Sequence, residues 1–399
     1  MSMDFEAERM KDIPFSNIRY IFERVSTLKA QGLSPIPFHI GQPDFDTPAH
    51  IKQAAKDALD QGLTAYTSNY GLLALRVAIA DKLQRENGLR VDPDQQIIVT
   101  VGSNEAILLG MLATLNPGDE VLIPDPSWLH YFYCARLVGA RVVSVPLRQE
   151  NKFMLDPDDL QRLLTRRSKM LVLNSPHNPT GAVLSPEIML QIASLVAKHN
   201  LILMSDEIYE KMIYDGLPHI SPASIEEIKD QTITVNGFSK AYAMTGWRVG
   251  YAAASSPLID AMIRAHQYTA ICATSFAQAG ALAALTGSQD CVHQMLVEFI
   301  RRRMVVVENL LQDTNLSLVP PQGTFYAFVN IKELGYSSEA ISGMLLDQAG
   351  VAVVPGRAFG QYGEGFIRIS FACSLPRVQE GMLAIQRFCQ QVSHPQPAL

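Results

Sequence analysis

Cysteine is scarce and unpatterned in this chain: Cys134, Cys272, Cys291, Cys373 and Cys389 are widely spaced, odd in number and include no Cys-x-x-Cys pair. That argues against a disulfide frame or a cysteine zinc site and fits reduced thiols in the cytoplasm. The nine histidines show no His-x-x-x-His spacing, so no bound metal is expected. Basic blocks are missing too. With 33 Lys and Arg scattered among 39 Asp and Glu, the formal net charge is -6. Such a surface offers nucleic acid no footprint and leaves an anionic small molecule dependent on individually placed cations. No apolar run approaches the ~18 residues of a membrane span. Residues 1–14 carry Asp4, Glu6 and Glu8 without an apolar stretch, so no secretory signal is expected there. No Gly-x-Gly-x-x-Gly follows the first strand, which argues against nicotinamide dinucleotide chemistry, and no repeat or low-complexity tract occurs.

What is present is a globular composition, 48% hydrophobic and 18% charged over 399 residues. That length suits one large domain plus a smaller one, because single cores stop growing near ~250–300 residues. From residue 47 to about 255, helix-like and strand-like segments alternate, the pattern of a mainly parallel sheet covered on both faces. Thr47-Pro48 reads as an N-cap and N1 proline; Ile51, Ala54, Ala55, Ala58 and Leu59 then share one helical face, and Gly62 ends it. Leu72, Leu75, Ile79 and Leu83 mark a second helix closed at Gly88. Strands are expected at 97–101, 120–124, 170–173, 201–204 and 232–235, with helices after Ser103 and over 186–199 and a turn at 116–119.

Beyond residue 256 come longer amphipathic helices, strands at 324–329 and 366–371, and an extended segment at 351–356. These predict a smaller α+β domain, joined by the first 46 residues through the crossover Pro35-Ile36-Pro37. The division reads as 47–290 for the large domain and 1–46 with 291–399 for the small one, with a frayed tail over 393–399.

Ligands of open α/β sheets bind beyond the carboxyl ends of the strands, and Gly102-Ser103, Asn178, Asp206 and Lys240 all stand at such ends. Lys240 follows an apolar strand, with Arg248 eight residues on. A lysine reacts with a carbonyl only when part of it is unprotonated, which burial or cationic neighbours arrange. An arginine keeps its charge and offers a planar fork to phosphate. Gly102-Ser103-Asn104, at a strand-to-helix turn, adds free backbone N–H groups for the same anion.

Together these motifs, running from Ile40-Gly41-Gln42-Pro43-Asp44 to Phe366-Ile367-Arg368-Ile369-Ser370, resemble the fold type I aminotransferases of class I/II that use pyridoxal phosphate, the aspartate aminotransferase family. The resemblance implies an α/β fold with a mostly parallel seven-stranded sheet between helices and a smaller α+β domain. It implies pyridoxal 5'-phosphate as cofactor and a ping-pong transfer of an amino group from an L-amino acid to a 2-oxo acid. Lys240 matches the Schiff-base lysine, Asp206 the acid that pairs with the ring nitrogen, and Asn178 and Tyr209 the groups on the ring oxygen. Gly102, Ser103, Asn104, Ser239 and Arg248 fall where the phosphate is held. Trp128 aligns with the aromatic that stacks on the ring, with Tyr131 in reserve. Arg368 matches the arginine on the substrate carboxylate, with Gly41 beside it, and Tyr66 a tyrosine that crosses a homodimer interface to the neighbouring site.

The same residues serve a carbon-sulfur β-lyase. A non-catalytic cofactor-binding regulator is the other reading, but the fold is expected to use nearly all 399 residues and to leave no room for a DNA-binding domain. The segment 268–275 carries no arginine that marks a dicarboxylate substrate, and with Phe276 beyond it suggests a broad or neutral amino donor, with 2-oxoglutarate or a similar acceptor.

Overall fold

The computed structural model describes residues 5–15, 17–311 and 316–393. Seven strands build the larger sheet: β1 (Ile97–Thr100), β2 (Glu120–Asp125), β3 (Arg141–Pro146), β4 (Ser168–Asn174), β5 (Ile202–Asp206), β6 (Thr232–Gly237) and β7 (Gly250–Ala253). They lie in the order β1-β7-β6-β5-β4-β2-β3, and only β7 runs against its neighbours. The other six strands therefore point the same way, and the loops leaving β1, β2, β4, β5 and β6 meet along one edge.

The strands are continuous apolar runs because both faces of the sheet are covered. On β4, Met170 and Val172 join a core with Met204, Ile233 and the helix Gly102–Thr114, while Leu171 and Leu173 turn to the opposite core beneath the helix Pro186–Lys198. That alternation is the two-residue period of a strand.

A second sheet contains β8 (Ser317–Leu318), β9 (Tyr326–Asn330), β10 (Val354–Pro355) and β11 (Phe366–Ser370), antiparallel in the order β10-β11-β9-β8. One face, with Val329, Ile367 and Ile369, packs against the helices Asp290–Leu311 and Leu375–Ser393. The other face, with Phe328, Val354 and Phe366, shares a core with Leu122, Leu171 and Leu203 of the larger sheet. The expected crossover at Pro35-Ile36-Pro37 is an isolated parallel bridge between Ile36 and Val351, and the Ser370 N–H donates to the Phe38 carbonyl at 2.8 Å.

Three local expectations change. Thr47 is not an N-cap: its hydroxyl donates to the Ala243 carbonyl at 2.6 Å and accepts from Trp247 Nε1 at 3.1 Å, which ties the first helix to the lysine loop. The helix itself runs Ala49–Asp60, and Leu59 lies on its exposed side because Ile51, Ala55 and Ala58 fill the packed face. The second helix, Leu73–Lys82, widens into a π turn over Leu83–Asn87 before Gly88, at φ +71°, closes it. Of the tail expected to fray, residues 394–399 lie outside the described residues. Among the described residues no helix is long and apolar enough to cross a membrane.

Candidate active site

A cavity of about 320 Å³ opens where the convergent loops of the larger sheet face the segment after His39 and the strands β9 and β11. Lys240 enters it from the loop after β6, and its Nζ donates to the Gly41 carbonyl at 2.6 Å. Burial, with Arg368 and Arg248 adding repulsion against the pull of Asp206, brings the amine down to about 8. Deep in the cavity Asp206, the last residue of β5, is 1% exposed. Its carboxylate accepts from the Tyr131 hydroxyl at 2.7 Å and the Ile208 N–H at 3.1 Å. Burial still dominates these bonds and pushes the acid up to about 6.

The opposite wall belongs to Arg368 on β11. Its Nη1 donates to Asn178 Oδ1 at 3.2 Å and its Nη2 to the His39 carbonyl at 3.0 Å, while Nε is buried without a partner. The guanidinium lies between two rings, 4.3 Å from the Tyr326 centroid and 4.9 Å from that of Phe359. Burial disfavours its charge, and no acid among the described residues pairs with it. A buried cation left with an unmet donor suits an incoming carboxylate. Asn178 is held in turn, its N–H donating to Asn174 Oδ1 at 2.8 Å, and Asn174 Nδ2 donates to the Asp206 carbonyl at 2.9 Å. Tyr209 shares a hydrogen bond with Tyr326 between hydroxyls 3.0 Å apart, and burial holds its phenol well above the ordinary range.

At the third corner the helix Gly102–Thr114 starts directly after β1. Ser103 lies inside its first turn and the N-cap is Val101, which supplies no side-chain cap, so the first N–H groups are left for an anion. Arg248, itself left-handed at φ +55°, lies against this turn and donates from Nη1 to the Thr245 carbonyl at 3.0 Å. Gly102 is required by its backbone, at φ +76°, and a Cβ there would stand 2.5 Å from Arg248 Nη2 and displace the guanidinium.

The cavity thus gathers Gly41, Ser103, Asn104, Trp128, Asn178 and Asp206 with Tyr209, Ser239, Lys240, Arg248 and Arg368. Gly102 lies beneath Arg248 and does not line it. Trp128 and Tyr131 both line the cavity, but the Tyr131 hydroxyl is committed to Asp206, whereas Trp128 stacks on His130 at 4.8 Å. Tyr66 is elsewhere on this chain, 81% exposed. Sequence reasoning missed Tyr326, Asn174 and His39. Asn174 carried a signal, an asparagine ending a strand four residues before Asn178; Tyr326 carried none beyond its place in a strand.

Three separated cations around one deep acid can seat a molecule with two anionic ends and a basic ring nitrogen. Set at the carboxyl edge of this sheet, with a smaller sheet closing over it, the arrangement defines a transferase of fold type I. The family model described as aminotransferase class I and II matches residues 34–385, and the chain belongs to that family. It is 43% identical over 387 residues to the aspartate aminotransferase of Pyrococcus abyssi, a match covering 96% of this chain and 98% of the relative. It is 42% identical over 388 residues to aromatic-amino-acid aminotransferase 2 of Thermococcus litoralis, again covering 96% and 98%. The solved structure of aspartate aminotransferase from Thermus thermophilus with maleate superposes with a TM-score of 0.92 at 38% identity, covering 96% of this chain and 100% of that one. The protein is an aminotransferase.

Proposed function

We propose that the chain uses pyridoxal 5'-phosphate to move an amino group from a broad or neutral L-amino acid to a 2-oxo acid such as 2-oxoglutarate, by a ping-pong sequence. The single observation that carries this is Lys240, with its amine lowered to about 8, in one cavity with buried Asp206 and acid-free Arg368. The site fits the cofactor: Arg248 over the Gly102 cradle, with the uncapped N–H groups, Ser103, Asn104 and Ser239, suits a phosphate. When bound, the cofactor supplies an aldehyde for the amino group and a ring that withdraws electrons from the substrate Cα. Asp206 would keep a proton on the cofactor's ring nitrogen, and Asn178 and Tyr209 would be the donors for its ring oxygen. Trp128, which lines the cavity, would cover the ring.

Arg368, with Gly41 beside it, would hold the α-carboxylate and so set the orientation of the substrate Cα. With cofactor and amino acid in place, the Lys240 amine would be the group positioned to take the substrate Cα proton and to give a proton back. Tyr66 serves the neighbouring protomer of a homodimer. The division at 47–290 against 1–46 and 291–399 belongs to the same reading, as does a cytoplasmic location, which the five free cysteines support.

A panel of amino donors with 2-oxoglutarate, read by keto-acid formation on purified, cofactor-loaded protein, tests the proposal. Amino transfer from neutral donors is expected. Pyruvate and ammonia from cysteine conjugates, with transfer to no oxo acid, would move the assignment to a β-lyase.

A further inference from the structure

The residue after Asp206 is a second buried acid. Glu207 is 1% exposed and does not line the cavity. Its carboxylate accepts from the Ser205 hydroxyl at 2.9 Å, the Ser221 hydroxyl at 2.5 Å, His219 Nε2 at 2.7 Å and, more distantly, Asn87 Nδ2 at 3.4 Å. Glu210 lies behind it, bonded to Lys82 and to Asn87 Nδ2 at 2.8 Å, and 3.9 Å from His219 Nε2. Lys82 also donates to Asn87 Oδ1 at 2.7 Å and faces Glu86 at 3.6 Å, and Glu86 pairs with Lys211 at 2.8 Å. The phenols of Tyr242 and Tyr251, raised by burial and then by these acids, complete the groups around the cluster.

The π turn explains how Lys82 and Asn87 both reach inward from one helix end. Glu207, Glu210 and Glu86 thus stand against His219, Lys82 and Lys211, so each acid of the cluster has a basic partner. Burial raises Glu210, yet Lys82 and His219 overcome it and hold that acid at about 2. Burial opposes the charge on His219, yet Glu207 wins and raises it above its ordinary value. Lys82 is already engaged with Glu210, which leaves His219 as the base bonded to Glu207 and the group able to carry the opposing charge.

Glu207 is one residue from Asp206, and its charge raises the proton affinity of that acid. An uncancelled Glu207 would favour a proton on Asp206 over a proton on the ring nitrogen it would pair with. We propose that His219 is a positioning residue for the aminotransferase reaction: its positive charge, held on Glu207, cancels that acid and keeps Asp206 ionised. This rests on the role given to Asp206 above.

His219→Gln can keep a hydrogen bond to Glu207 while dropping the charge, so it separates charge from packing. At matched cofactor content and melting temperature, kcat should fall roughly tenfold, the effect of one pKa unit at Asp206, with the donor KM unchanged. Adding Glu207→Gln to that variant removes the charge to be cancelled and should return kcat to near the wild-type value. Unchanged kcat in His219→Gln overturns the proposal, and so does a double variant that stays equally slow. Asp206→Asn in the same assay separates the two readings. If it is as active as wild type, the role of Asp206 fails; if it is slow while His219→Gln is normal, only the role of His219 fails.

Discussion

Lys240 and Asp206 are both disfavoured as ions by burial, and each turns that penalty to use. For the lysine, an amine titrating at about 8 means that added aldehyde cofactor should combine with the cofactor-free protein faster as pH rises toward 8, followed by absorbance. Lys240→Ala should still bind cofactor, but turnover should drop by about 10²–10⁴, the usual contribution of a positioned proton carrier. For the acid, folding raises the pKa from 3.8 to about 6. The folded state therefore loses stability as pH climbs from 3.8 to about 6, and the loss is complete above that. Asp206→Asn should consequently stabilise the cofactor-free protein at pH 8 by on the order of 1–3 kcal/mol while lowering activity, and the gain should vanish toward pH 4. Thermal melts of both proteins across that range decide it. Burial disfavours the charge of Arg368 as well, and no acid among the described residues offsets it, so Arg368→Ala should raise donor KM by about 30-fold or more, consistent with ~2 kcal/mol or more for a buried charge pair, with cofactor affinity nearly unchanged. Equal loss of donor and cofactor binding would make it a structural residue.

The element that concentrates the most constraint is the turn from β1 into the helix Gly102–Thr114. Gly102→Ala faces both a left-handed backbone and the Arg248 guanidinium, so it should destabilise by more than ~1 kcal/mol and weaken phosphate binding disproportionately; cofactor titration alongside denaturation measures both. Elements of this kind were legible in the sequence because strand runs, turn residues and polar loop ends are local signals. The strands of the larger sheet that were expected appear within a residue or two, and Lys240, Asp206, Asn178 and Arg368 meet in one cavity. What local signals could not carry was partnership across the chain. Thr47 looked like a cap from its neighbours, but its hydroxyl is spent on Ala243, nearly two hundred residues away. Leu59 matched the apolar face by spacing, yet the packed stripe of that helix is narrower than the spacing allows. The bonds from Tyr131 to Asp206 and from Tyr326 to Tyr209 depend on which strands lie side by side, which no window of sequence contains.

At the scale of the molecule, one protomer has a site whose predicted Tyr66 lies out on the surface. Leu73, Tyr268 and Ile271 are exposed as well, and Asn69 Nδ2 donates to the Ile271 carbonyl at 2.9 Å, so the two segments form one apolar face. In the homodimer proposed above, a second copy would cover that face. Mixing Tyr66→Ala with Lys240→Ala protein, dissociated and reassembled at limiting cofactor, should recover up to roughly a quarter of wild-type activity, because half of random dimers would carry one intact site. No recovery would mean that Tyr66 serves its own protomer or neither.

The bridge between Ile36 and Val351 also sets a timetable for a newly made chain. At roughly 5–20 residues per second, the segment that carries Gly41 waits some 15–65 s for its partner to be synthesised. Throughout that interval Ile36 and Phe38 lack the neighbours that bury them in the finished protein. The strand bearing Arg368 completes the substrate site, but the exposure outlasts it, because Gly381 of the later helix Leu375–Ser393 packs against both Phe38 and Ile36; the arginine that grips the substrate is therefore made before its own core is fully covered.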